Sequence, residues 1–199
     1  MNDSVKDMEA RLQELMQERV HMLPYDPEWA LTFRQEQRFL EEVLPADLVQ
    51  RIEHIGSTAV PGSSAKPTID IQVEVNDLQR VRKEVVPVLV DAGYEFIWRK
   101  SIGEQQPYYA WFIKRNAHGD RTHHLHVIEP DSASLDRLIF RDHLRAHPEA
   151  VARYEVLKHD LAFRYPNDRA AYTKGKAGFI AAILAEAQGP PRPVEESRG

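Results

Sequence analysis

The chain has 199 residues, 42% hydrophobic and 29% charged, with a formal net charge of −5 and no cysteine. That length suits one domain with a substantial core, and the slightly acidic balance gives no overall pull toward nucleic acid or anionic lipid, while leaving room for a local basic cleft. Disulfides, thiolate zinc sites and cysteine nucleophiles are excluded; no apolar run approaches a membrane span and the polar N-terminus lacks a signal-peptide core, so a cytoplasmic protein is expected.

In chain order, Val5, Met8, Leu12, Leu15 and Met22 recur at helical spacing within residues 1–22. They predict an amphipathic helix that docks on its own domain or pairs with a second copy in a homodimer. Asp26 is placed to cap a helix starting at Pro27 that buries Trp29, Phe33, Phe39, Leu40 and Leu44 and ends near Pro45. A strand running from Arg51 to Gly56 leads into a loop of small residues carrying Lys66, and a second strand starts at Thr68. Asp77 caps a helix to about Ala92, stopped by Gly93 and kinked or split at Pro87. Strands are expected over Tyr94–Arg99, Tyr108–Lys114 and Thr122–Ile128, with Gly103–Pro107 as a connection and the last two strands paired across an Asn116–Asp120 turn. Helices follow over 132–145, 149–165 and 168–187, divided by Pro148 and Pro166-Asn167, and the tail from Gly189 reads as disordered. The division is thus an N-terminal helix (1–22), an α/β domain (23–187; sheet about 47–130, helical part about 131–187) and a tail (188–199).

Chemistry concentrates in Arg51–Val75. Gly56 permits close backbone approach, and Ser57 adds a hydroxyl beside N–H groups that can face a phosphate. Strand alternation places Asp70, Gln72 and Glu74 on one face, and likewise His124 and His126. Asp70, His124 and His126 together would suit one transition metal if their strands were neighbours; otherwise the histidines serve as hydrogen-bonding wall residues. His54 fits a structural histidine better than a ligand. Lys158, Lys174 and Lys176 lie on the C-terminal helices, where Arg137, Arg141 and Arg145 recur at four-residue spacing; they bind phosphates or form a solvated face with local ion pairs. Tyr172 and Phe179 read as core. The loop from Gly56 to Lys66 is not a P-loop, His124-Leu125-His126 lacks a third alternating histidine, and His159-Asp160 has no partner ligands in the sequence.

The segments EHIGSTAVPG and AKPTIDIQV, with YDPEW, HHLHVIE, FRDHLRAHPE, YEVLKHDLA and DRAAYTKGKAGFI, resemble the GrpB or UPF0157 family, placed in the nucleotidyltransferase superfamily. Ser63 and Ser64 fall in a spacer expected to be more apolar. The resemblance implies a nucleotidyltransferase-like mixed sheet flanked by helices, with a C-terminal helical bundle. It implies Asp70 as metal ligand and catalytic centre, Gly56, Ser57 and Lys66 near a phosphate, and Lys158 and Lys176 closing over it. The cofactor would be Mg²⁺ or Mn²⁺, with Zn²⁺ as the alternative if His124 and His126 take part. Gln72 stands where the superfamily carries a second carboxylate, which Glu74, Glu129 or the pair His124 and His126 would have to replace. Three functions follow: nucleotidyl transfer using a nucleotide or phosphorylated metabolite, a catalytically silent anion-binding module linked to coenzyme A metabolism, or metal-dependent phosphoester hydrolysis.

Overall fold

The computed structural model describes residues 21–100 and 108–189. Residues 21 and 22 are not helical, and the rest of the expected N-terminal helix, the 103–107 connection and the tail beyond Gly189 lie outside the described residues. Leu23 forms a two-bond bridge with Ala65, tying the chain entry to the loop after the first strand. Helix α1 (Glu28–Val43) follows, with the Glu28 N–H donating to the Asp26 carboxylate at 2.9 Å.

Five strands form one mixed sheet in the order β1-β2-β5-β4-β3: β1 (Val49–Ile55), β2 (Ile69–Val75), β3 (Tyr94–Lys100), β4 (Tyr108–Arg115) and β5 (Arg121–Ile128). The β3-β4-β5 meander brings β5 back beside β2 as the sheet's parallel pair. The long connection between β2 and β3 is helical throughout, as a parallel return requires. It runs as α2 (Leu78–Arg80), a π-helical turn (Val81–Val85) and α3 (Val86–Asp91). Asp77 caps it, accepting from the N–H groups of Gln79 and Arg80. The split falls just before Pro87, which has no N–H to continue the ladder, and Val86 bonds back to Val81 instead.

Alternation sorts the sheet into two unlike faces. Ile69, Ile71, Val73 and Val75 of β2, with Phe112, Leu125 and Val127, form the main core against Trp29 and Leu40 of α1 and Val81, Val85 and Leu89 of the β2–β3 connection. The opposite face carries the polar set that starts at Asp70. It is partly roofed by a helical layer of α4 (Ser132–Ala146), α5 (Pro148–Arg164), α6 (Arg169–Gly175) and α7 (Ala177–Gln188). Tyr154, Leu144 and Ile183 centre that layer's core, with Phe179 packed against it and Tyr172 buried beside Leu161.

One helix differs from the expectation. The span 168–187 is broken at Lys176, directly after Gly175, whose poor helical propensity favours the break. A Cβ on Gly175 would sit 2.4 Å from a Leu161 methyl, so any side chain there would require Leu161 of α5 to shift.

Candidate functional site

The polar face gathers where β1 ends and β2 begins. Gly56 takes φ +74° and ψ −176°, a region open essentially to glycine alone, and a Cβ on it would lie 2.6 Å from an Asp70 carboxylate oxygen. The glycine is thus what lets the Gly56-Ser57 turn close over Asp70.

Parallel pairing of β2 with β5 sets Asp70 opposite His124 and Gln72 opposite His126. His124 Nδ1 lies 3.0 Å and His126 Nε2 3.9 Å from the same Asp70 oxygen. His124 is buried, and desolvation pushes its pKa down to about 4 against the raising effect of Asp70, so it is neutral near pH 7. A neutral ring that donates from Nδ1 to Asp70 keeps a lone pair on Nε2, and an Arg121 nitrogen stands 3.5 Å from that atom. For Asp70, burial opposes the charged form, but hydrogen bonds from His124 and His126 outweigh it and hold the carboxyl well below its ordinary value.

Cations dominate the surroundings. Lys66 and Lys176 are half-buried and neither forms a salt bridge with a described carboxylate; the Lys176 ammonium lies over the Tyr172 ring. Desolvation, aided by Arg169, brings Lys66 to about 7 against the pull of Asp70. Desolvation brings Lys176 to about 8, with Asp70 opposing and Lys158 and Arg169 reinforcing. Arg169 also depresses His124, so four cationic side chains, Lys66, Arg121, Arg169 and Lys176, act on one carboxylate and its histidines. Arg121 and Arg169 escape a motif search. Their signals are positional: Arg121 starts the histidine strand, and Arg169 precedes Lys176 by two helical turns.

The remaining predicted residues are engaged elsewhere. Gln72 is fully buried: its amide donates to Glu74 and the Ser134 carbonyl, and its oxygen accepts from Arg137. Glu74 is held by Arg51 at 2.8 Å, and Glu129 accepts from the Leu78 N–H at the start of α2, so neither replaces the absent carboxylate. The Lys158 ammonium is buried among Ser63 Oγ at 2.7 Å, the Ser64 carbonyl and Glu155 at 2.6 Å, which makes it a clasp between α5 and the β1–β2 loop. This also accounts for serines in that spacer. Ser57 is hydrogen-bonded to Tyr154 at the same junction. His54 stacks on Phe33 and meets the Thr58 hydroxyl at 3.0 Å, a structural histidine. Of the spaced arginines, Arg141 binds Glu53 and Asp142, and Arg145 donates to the Ala59 carbonyl.

Among the described residues no three His, Asp or Glu side chains are arranged to hold a divalent cation, Gln72 adds no charge, and the cations around Asp70 raise the electrostatic cost of another. Two open cavities of about 520 and 450 Å³ flank β1 instead, and neither is lined by Asp70, His124 or His126. No helix among the described residues is long and apolar enough to cross a membrane.

The comparisons extend over most of the chain. A UPF0157 protein of Pseudomonas aeruginosa is 42% identical over 171 residues, 85% of this chain and 68% of that protein. A dephospho-CoA kinase of Mycolicibacterium paratuberculosis is 30% identical over 179 residues, 79% of this chain but 43% of its own length. The crystal structure of the conserved protein GrpB from Enterococcus faecalis superposes with TM-score 0.71 at 32% identity, covering 84% of this chain and 96% of that one. The family model described as GrpB protein matches residues 19–186, which takes in the Gly56-Ser57 turn, the Asp70–His124 pair, the helix that carries Lys158 and the break at Lys176. By sequence and by fold, the chain belongs to the GrpB family.

Proposed function

We propose that the cleft at Asp70 binds the phosphate groups of a nucleotide or phosphorylated metabolite directly, through Lys66 and Lys176, on a nucleotidyltransferase-like scaffold and without a bridging metal. The observation that carries this reading is the pair of half-buried ammonium groups that share no salt bridge with a described carboxylate. Lysines kept partly from water and near other cations are poorly compensated, and a polyanion supplies the missing charge with charge-assisted hydrogen bonds. Asp70 and His124 act as the polar floor of this cleft. The carboxylate fixes the imidazole tautomer and tempers the crowd of positive charge, in place of a pair of acids holding metals for in-line transfer. The kinship to a dephospho-CoA kinase supports a phosphorylated metabolite as the class of ligand.

Calorimetry with pyrophosphate and with a nucleoside triphosphate, each with and without Mg²⁺ or Mn²⁺, tests the reading. Binding should occur in EDTA, weaken roughly tenfold in Lys66→Met and in Lys176→Met, about 1.4 kcal/mol each, and survive Asp70→Asn. Binding that requires the metal and disappears in Asp70→Asn would defeat the proposal and restore metal-dependent nucleotidyl transfer or hydrolysis.

A further inference from the structure

A cavity of about 450 Å³ opens between α1, the edge strand β1 and α4, bordered by Phe33, Arg34, Gln37, His54, Arg141 and Arg145. Its volume is within the usual range of small-molecule pockets. Glu53 is the one carboxylate among the described lining residues, and Arg141 already engages it at 2.6 Å. Arg34, on the solvent side of α1, has no ion pair with a described residue.

The other two guanidinium groups are held in place by backbone. Arg141 donates to the His54 carbonyl at 2.8 Å and Arg145 to the Ala59 carbonyl through Nε at 2.8 Å, while its Nη1 reaches Asp142 only at 3.5 Å. Arg145 therefore presents a fixed fork with a donor edge to spare, and burial together with Arg141 lowers its pKa. His54 adds no positive charge here, since desolvation has brought it to about 4. Its ring lies 4.7 Å from that of Phe33 at 11°, making one wall flat and apolar. Arg34, Arg141 and Arg145 outnumber the two acids that Arg141 and Arg145 engage, Glu53 and Asp142, and with a flat wall behind them they match the needs of an organic anion, because the planar fork of the unpaired Arg34 can pair bidentately with a carboxylate.

We propose that this cavity is a second binding site, separate from the Asp70 cleft, for a small carboxylate-bearing metabolite held between Arg34 and Arg145. The assignment is independent of what the Asp70 cleft takes.

The arginine side-chain Nε–H resonances of the ¹⁵N-labelled full chain provide the test, with succinate as the probe. Succinate should shift the Arg34 and Arg145 signals saturably, and the same shifts should appear in Lys66→Met. Arg34→Glu, at an exposed position, should weaken the response at Arg145 by at least about tenfold, the factor that corresponds to 1.4 kcal/mol. The proposal is overturned if succinate moves neither arginine, if the Arg145 shift persists unchanged in Arg34→Glu, or if the shifts are lost in Lys66→Met. Inorganic phosphate run in parallel should be the poorer ligand, and a response to phosphate alone would equally overturn the carboxylate assignment.

Discussion

Lys158 and the pair Lys66 and Lys176 differ in one respect that decides what each does. Lys158 is 1% exposed yet satisfied, with Glu155, Ser63 and Ser64 around its ammonium. Lys66 and Lys176 are less buried, and Asp70 reaches them only as a distant charge. A buried cation with its own acid is part of the architecture, whereas half-buried cations lacking one make the cleft attractive to an anion. Helix position in the sequence groups Lys158 with Lys176; hydrogen bonding separates them.

The comparison is tested most severely at Lys158. Replacing it with Met should strip Glu155 of its buried counter-charge, leave the Ser64 carbonyl without its ammonium and destabilise the fold by about 3 kcal/mol in urea denaturation, with partial recovery on adding Glu155→Gln. A loss below about 0.5 kcal/mol, the range of ordinary surface substitutions, would mean the clasp is no more structural than the other lysines. Next in size, Gly56→Ala should cost about 2 kcal/mol through its positive φ and the collision with Asp70, read as a lowered urea midpoint. Unchanged stability there would remove the argument that the turn and the carboxylate are built around each other. Smaller again, Lys66→Met and Lys176→Met should leave stability unchanged or slightly raised while weakening pyrophosphate binding, the opposite pattern to Lys158→Met.

The gentlest test is pH. Lys66 at about 7 and Lys176 at about 8 lie below the ~10.4 of an unfolded lysine. The unfolded chain therefore holds more protons from pH 7 to 10, and these two groups make the free protein more stable as pH rises through that window, with no further change from them below it. A bound polyanion raises both values, so binding should take up protons near pH 8 and weaken from pH 7 to 9. Calorimetry in buffers of different ionisation enthalpy measures that uptake, and a pH-independent affinity would argue against the lysines as ligands. His124 and His54, both near 4, act in the other range: their contribution to stability is present above about 6.5 and is lost as pH falls toward 4.

Much of the fold could be read from the chain because period and punctuation agreed. The alternation from Ile69 to Val75 gives both the strand and its two faces, and Asp77 and Pro87 mark the start and the break of the following connection. The side-by-side placement of Asp70 and His124 needed more, since alternation fixes a face while only the return of β5 along β2 makes them neighbours. The break at Lys176 and the clasp at Lys158 were illegible for a shared reason. Each sits at an approach between elements, Gly175 beside Leu161 and Lys158 on Ser63, that leaves no periodic trace in either segment. Gln72 shows the limit from the other side: its departure from the superfamily pattern is plain in the sequence, but its bonds to Glu74, Ser134 and Arg137 are not.

The guanidinium of Arg141 on the His54 carbonyl has a further effect, on how the molecule behaves in company. β1 is the outermost strand on its side, and a free rim of backbone donors and acceptors invites another chain to extend the sheet. By occupying that carbonyl, and with Arg51 and Glu53 standing along the same border, the helix above makes the rim a poor template for templated growth. Removing the arginine would expose an adhesive seam, and the first symptom should be turbidity on storage at high concentration.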